Sequence, residues 1–226
     1  MSYGFAGVVV RPLMLVGLAI TMLLIAALHA LAAPPAAPDE AVARFAARAV
    51  TVLEQRSERA PVGDLDRAMT TLLREGFDLD TIAKLTLGRH WRTAGDEDRA
   101  DFRALFERYL VVTYGRRLEG YGGQTVRVTG WSPVGDDALV TSSIENPGDG
   151  GGVRVDWRLR ASDAGWRILD VVVEGVSMLV TQRSEFAAIV ERAGGRVSAL
   201  NDHLRRALNE APRSAADTPP TRPAPG

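Results

Sequence analysis

The spacing of apolar residues changes twice along the chain, and this change limits the folds that the chain can adopt. Up to about residue 121, apolar side chains recur with the period of an amphipathic helix. Between Val126 and Val173 they alternate with polar side chains, as in a strand with one buried face. The helical period returns from Ser177 to Leu208. Helices, then strands, then helices predict an α+β fold with helices packed on a sheet.

The period and the cap residues predict about six helices and about four strands. The first four helices are expected to begin near Asp39, Asp64, Asp78 and Asp96, and the fourth is expected to run to Tyr121. The predicted strands contain Val126–Val128, Leu139–Ile144, Val153–Leu159 and Trp166–Val173. The last of these is the most apolar, so we expect it to be central. Short turns between the strands predict one curved antiparallel sheet.

The N-terminus has the pattern of a secretory signal peptide. Residues 13–33 are almost uninterruptedly apolar behind the single charge of Arg11, and Ala30 and Ala32 suit cleavage after residue 32. Residues 33–38 then form a linker, residues 39–210 the folded domain, and residues 211–226 a disordered Pro-rich tail. The apolar run is also long enough to span a bilayer, so an uncleaved anchor remains an alternative. Either alternative predicts a periplasmic domain.

Charge and composition exclude several classes of function. The chain has 27 basic and 28 acidic residues, a balance that does not suit a general nucleic-acid binder. Cysteine is absent, which excludes disulfides, a thiolate nucleophile and a cysteine zinc site. Beyond the signal segment, the histidines are His90 and His203, far apart and without a metal-binding motif. We therefore expect no metal.

Three polar residues are candidates for catalysis, and each has a structural alternative. Ser177 follows a strand as a hydrolase nucleophile does, but Leu179 stands where that motif needs glycine, so we expect a helix cap. Asp156 alternates with Trp157 and is expected to be solvated. Asp170 shares a predicted face with Trp166, Ile168 and Val172. It is either a base in an apolar pocket or a partner of Arg183 or Arg158, and the structural role is favoured.

Two segments carry the most distinctive residues. The first is Leu87–Ala94 (LGRHWRTA), continued by Phe102–Phe106 and Thr113–Leu118; the second is Val155–Leu159, Trp166–Met178 and Gln182–Phe186. Together they closely resemble the MlaC family of periplasmic lipid carriers, also called toluene-tolerance auxiliary proteins. The run DVVVEGVS ahead of RSEF is the most specific part, and GVSMLVTQRSEF is most similar to the hopanoid-associated HpnM branch. The resemblance covers about residues 41–208.

This resemblance implies a fold and a function. The fold is an NTF2-like α+β architecture with a deep apolar pocket between sheet and helices. The ligand is a membrane lipid, a phospholipid in the main family and a hopanoid or related lipid in the branch. The protein is then a soluble shuttle that takes lipid from an inner-membrane or outer-membrane complex and delivers it to the other. The family has no catalytic residues, and no cofactor is implied.

A curved sheet beneath helices can leave a gap, and apolar ligands gain about 25 cal/mol per Å² of surface buried in one. We expect this gap to be lined by large apolar residues, namely Trp91, Tyr114, Val128, Val155, Trp157 and Ile168. The alternative for each of them is an ordinary filled core.

Two other functions use the same sheet and helices. An isomerase or lyase would need Asp170 inside the pocket and a tyrosine such as Tyr109 or Tyr114 within reach of the substrate. An assembly or scaffold protein would have a filled core and an exposed apolar patch.

Overall fold

The computed structural model describes residues 37–57, 62–117, 122–148 and 151–210. In the described ranges, five helices precede the strands and two follow them. The helices are α1 (Pro38–Ser57), α2 (Val62–Gly76), α3 (Leu79–Leu87), α4 (His90–Thr93), α5 (Asp96–Arg117), α6 (Met178–Arg192) and α7 (Val197–Glu210). The predicted signal peptide, most of the linker, the C-terminal tail and the expected end of the fourth helix at Tyr121 lie outside the described residues.

Five strands form one antiparallel sheet in chain order. The strands are β1 (Thr125–Val134), β2 (Asp137–Glu145), β3 (Gly152–Ser162), β4 (Gly165–Val173) and β5 (Val176–Ser177). Each pairs with the next, because short turns join neighbouring strands. The predicted α+β class and antiparallel sheet are confirmed, with one strand and one helix more than expected. The additions, β5 and α4, are too short to give a periodic pattern.

The two faces of the sheet differ in polarity, as the alternation in β3 predicts. Val155, Trp157 and Leu159 are buried. Arg154, which precedes Val155, and Arg158, which lies between Trp157 and Leu159, are exposed. The buried face packs around Val42 of α1, with Val140 and Ile168 from neighbouring strands. The helices therefore cover one face, and the other carries charged side chains.

A second core lies among the helices. Phe102 and Phe106 stack at 5.4 Å between ring centroids, and Phe186 of α6 meets both rings edge-on at 5.7 and 6.0 Å. Leu200 and Leu204 of α7 complete this cluster. Such aromatic packing fixes α5, α6 and α7 to one another.

The strand at Trp166–Val173 is not central, contrary to expectation. β4 lies second from one edge, between β3 and the two-residue β5. A β-bulge opposite Arg158 and Leu159 leaves Leu169 without a cross-strand partner, and both Ile168 and Leu169 are buried. Helices packed on β4, together with this bulge, explain its apolar character.

Local signals in the sequence set where two helices begin. Helix α3 begins near Asp78 as predicted, and Asp78 caps it by accepting a hydrogen bond from the Thr81 N–H at 2.9 Å. Ser177 caps α6 in the same manner through the Val180 N–H, also as predicted. Among the helices in the described part of the chain, none has the length and apolar character needed to cross a bilayer.

Candidate functional site

A cavity of about 550 Å³ lies between the buried face of the sheet and the helices. Five helices (α1, α2, α3, α5 and α6) and strands β1 to β4 contribute to its wall. The wall residues are mostly aliphatic or aromatic: Phe45, Ala46, Ala49, Val50, Leu53, Met69, Leu72, Leu73, Phe77, Ile82, Phe106, Leu110, Tyr114, Val126, Ile144, Trp157, Leu169, Val171, Val173, Met178 and Leu179. A cavity of this size and lining suits an apolar ligand.

Helix α1 supplies the longest part of this wall. Phe45, Ala46, Ala49, Val50 and Leu53 recur with the helical period, so all five face the cavity. Two of the five are alanines, and their small side chains leave space that larger residues would fill. The Phe45 ring meets the Trp157 ring edge-on at 5.9 Å across one end of this space. The cavity therefore follows from small residues on a helix that faces large ones on a strand.

Four polar side chains also reach the wall, namely Thr86, Gln124, Asp170 and Gln182. The Thr86 hydroxyl donates to the Ala83 carbonyl at 3.0 Å, and the Gln182 amide donates to Glu185 at 3.1 Å. These groups are bonded within the protein, as buried polar groups need to be. The cavity thus presents few free polar groups to a ligand.

Two of the six residues predicted to line a pocket do lie in this wall. Tyr114 of α5 and Trp157 of β3 face the cavity from opposite layers. Trp157 Nε1 donates to Ser142 Oγ at 2.9 Å, so the indole N–H is satisfied without a ligand. Tyr114 and Trp157 are therefore brought together by the fold.

The other four predicted residues lie in packed cores rather than in the wall. Val128, Val155 and Ile168 belong to the core around Val42, where α1 closes directly on the sheet. Trp91 packs beside the helical core, with the Arg103 guanidinium carbon 4.9 Å from its ring centroid. Sequence reasoning favoured large side chains, and it missed α1 and α2. The signal that could have found α1 is the pair of alanines on its inward face.

Asp170 lies in the cavity wall, but its carboxylate is engaged. It accepts hydrogen bonds from the Ser177 hydroxyl and from the Leu179 N–H, the latter at 2.9 Å. The predicted arginine partner is wrong, because Arg158 pairs with Asp137 instead and the carboxylate of Asp170 is engaged by α6. Asp170 lies opposite Arg158, whereas Ile168 lies opposite Leu159. Asp170 and Ser177 therefore hold the first turn of α6.

The remaining candidates for chemistry also have structural partners. Asp156 was predicted to be solvated, but its side chain is only 13% exposed. Thr141 Oγ1 donates to it at 2.7 Å, and Arg154 pairs with it at 3.0 Å. Tyr109 packs against Phe186 with ring centroids 5.9 Å apart. His90 is the exception: it is buried, a Glu191 oxygen lies 3.9 Å from its Nε2, and this nitrogen has no hydrogen-bond partner among the described residues. Within the described ranges, no three histidine, aspartate or glutamate side chains converge on a common point.

Comparison with known proteins finds a family model, a curated relative and a solved structure that are similar to this chain. Residues 43–206, well over half of the chain, match the family model described as MlaC protein. The toluene tolerance protein ttg2D of Pseudomonas putida is 25% identical over 154 residues, which cover 67% of this chain and 71% of that protein. A phospholipid-binding protein from Ralstonia solanacearum, solved in complex with a phospholipid, has a similar fold with a TM-score of 0.67. It is 22% identical, and the match covers 78% of this chain and 99% of that one.

Proposed function

Because the chain belongs to the MlaC protein family, we propose that it is a periplasmic carrier that encloses the acyl chains of a membrane lipid. The observation that carries this proposal is the cavity of about 550 Å³ with a wall of mainly apolar side chains. The solved relative from Ralstonia solanacearum, which holds a phospholipid, supports a phospholipid as ligand. The proposal needs no cofactor and no catalytic residue.

The physical chemistry of a lipid in water supports the same function. An acyl chain in water costs about 0.8 kcal/mol for each exposed CH₂, and the apolar wall removes much of that cost during transit. Tyr114 and Trp157 would contact the chain from two sides, together with Phe45 and Val171. The few polar groups of the wall are bonded within the protein, so chain burial rather than polar contacts would supply affinity.

A hopanoid is the second candidate ligand. The segment GVSMLVTQRSEF, which resembles the HpnM branch, includes three residues of the cavity wall, namely Met178, Leu179 and Gln182. This placement means that the segment carrying the branch resemblance would touch the ligand. Extraction of the bound lipid distinguishes the two classes, since a polycyclic skeleton and a glycerophospholipid differ in mass and fragmentation.

The route of the lipid is also part of this proposal. If the N-terminal segment directs export across the inner membrane, residues 39–210 lie between the two membranes. The partners would then be a transporter complex of the inner membrane and a donor or acceptor complex of the outer membrane.

The cavity and the hydrogen bonds of Asp170 favour a carrier over the two alternatives. A scaffold protein would need no cavity. A catalytic base would need a carboxylate directed at the substrate, whereas both oxygens of Asp170 are directed at α6 and accept hydrogen bonds from its first turn and from Ser177.

The proposal is tested by native mass spectrometry of protein isolated from its own host, with a variant that fills the cavity. Ala49→Phe adds a ring to the wall and is expected to remove most of the bound lipid. Ala47→Phe is the matched control, because Ala47 is an exposed residue of the same helix. If wild type carries no lipid even after incubation with host lipid vesicles, the carrier function is wrong. If Ala49→Phe retains a full lipid load, the cavity is not the site.

A further inference from the structure

A second depression, of about 430 Å³, adjoins the cavity. It is a surface cleft between α5 and the corner where α2 passes into α3, and we call it the side cleft. Its charged residues are Arg74, Asp78, Asp80, Arg103, Glu107 and Arg167. Phe77 and Phe106 line both the side cleft and the cavity. These two rings are therefore the partition between a charged cleft and an apolar chamber.

The two rings of the partition differ in their freedom to move. Phe106 is 1% exposed and is stacked on Phe102 within the helical core. Phe77 is only half-buried, and it meets Phe45 edge-on at 5.3 Å. The backbone after Phe77 is tied to β4 by a hydrogen bond from the Asp78 N–H to the Ile168 carbonyl at 3.1 Å. Rotation of the Phe77 side chain, with its backbone in place, would open the partition.

Two ion pairs close the side cleft above these rings. Arg74 of α2 pairs with Glu107 of α5 at 2.7 Å, and Asp80 of α3 pairs with Arg103 of α5 at 3.2 Å. Both pairs join the corner between α2 and α3 to α5. Arg103 is also held over the ring of Trp91, at 4.9 Å. Pairs as exposed as these contribute little free energy, so they can separate without unfolding the domain.

We propose that the side cleft is an opening of the cavity, through which an acyl chain passes when the two ion pairs separate and Phe77 rotates. This inference rests on the proposed function, because it assumes that lipid occupies the cavity. The closed partition shields the chain from water during transit. The charged cleft outside it gives the polar part of a lipid a place in which charged groups of both signs are available.

The rate of lipid exchange tests this opening. The probe is a pyrene-labelled phosphatidylcholine, transferred from phosphatidylcholine vesicles to the full chain. The double variant Asp80→Asn, Glu107→Gln removes both ion pairs and is expected to exchange lipid about two- to tenfold faster, the range that two exposed pairs can provide. Asp101→Asn is the control, since it removes the Arg205–Asp101 pair between α5 and α7, away from both cavities.

A cross-link gives the opposite test. The chain has no cysteine, so Arg74→Cys, Glu107→Cys can be joined by a bis-maleimide after the protein has folded. The cross-linked protein is expected to exchange lipid several-fold more slowly than the same variant before cross-linking. A cross-linked pair Asp101→Cys, Arg205→Cys is expected to exchange at its original rate.

The possible outcomes separate this inference from the proposed function. If wild type exchanges lipid and neither the double variant nor the cross-link changes the rate, the proposed opening at the side cleft is wrong while the carrier function stands. If wild type takes up no labelled lipid, the carrier function fails and the proposed opening at the side cleft fails with it.

Discussion

Arg160 donates two hydrogen bonds to the carboxylate of Asp137, from Nε to Oδ1 at 2.7 Å and from Nη2 to Oδ2 at 3.2 Å. Arg158 donates to Oδ2 as well, at 2.5 Å. Burial by itself raises the pKa of Asp137, but the hydrogen bonds from Arg160 and Arg158 outweigh burial and hold this pKa below its usual value. The hydrogen bonds that Arg160 donates to Asp137 also raise the pKa of Arg160 itself. This cluster joins the start of β2 to β3 on the uncovered face of the sheet.

Replacing Asp137 is expected to destabilise the domain in a pH-dependent way. A carboxyl group with a depressed folded pKa adds stability above its unfolded pKa of about 3.9, and that stability is lost as pH falls through the folded value. Asp137→Asn should therefore lower the free energy of unfolding by about 1–3 kcal/mol at neutral pH, with the difference shrinking in acid. Urea denaturation across pH measures it. Asp136→Asn, a change at an exposed neighbour, is the control, and a difference that grows in acid would contradict the assignment.

The first turn of α6 depends on Ser177 and Asp170. Ser177→Ala removes a helix cap and should cost about 1 kcal/mol of unfolding free energy. Asp170→Asn weakens two hydrogen bonds to a buried carboxylate and should cost about 1–3 kcal/mol. Both changes should also reduce lipid retention, because Leu179 in that turn belongs to the cavity wall. Denaturant unfolding and lipid content are measured together.

Ser184→Ala serves as the control for this turn. It removes a hydroxyl from the exposed side of the same helix, where Ser184 donates only to the Val180 carbonyl. Its effect should be close to zero. If Ser184→Ala and Ser177→Ala destabilised the domain equally, the capping role of Ser177 would be refuted.

Gly76, the last residue of α2, lies so close to the Phe45 ring that there is no room for a larger side chain. A methyl group there would overlap the Phe45 ring, which belongs to the cavity wall. Gly76→Ala should therefore destabilise the domain by about 1–3 kcal/mol through overpacking. The control is Gly115→Ala in α5, where an added methyl meets no atom within 4 Å. Thermal unfolding of both variants distinguishes steric overlap from helix propensity, which favours alanine at both sites.

Cleavage of the N-terminal segment is tested on the exported protein. Removal after Ala32 should give a mature chain that begins at Ala33, because small residues precede that bond. Intact-mass measurement reads the result directly. A mass that includes Met1 to Ala32 would instead support a membrane anchor.

The periodicity of the sequence was sufficient to predict the order and the type of the main helices and strands. Val155, Trp157 and Leu159 alternate with charged residues, and this pattern correctly predicted a strand with one buried face. The start of a helix at Asp78 and the cap at Ser177 were correctly predicted, since a helix start depends on residues within one turn. The bulge at Leu169 was not predicted, because register depends on pairing with β3. This shift in register puts Asp170 and Ile168 on different faces of the sheet, whereas the alternation predicted the same face.

The sequence by itself therefore determined the α+β class, the antiparallel order of the strands and the family resemblance, because all of these depend on local periodicity and short motifs. Only the tertiary structure decided which apolar residues face empty space. Val155 and Trp157 have the same alternation in β3 and both pack in the core around Val42, yet only Trp157 also lines the cavity. The difference arises from α1, which meets the sheet closely at Val42 and leaves a gap beside Ala46 and Ala49. Distances between elements far apart in sequence create that gap, and no local pattern encodes them.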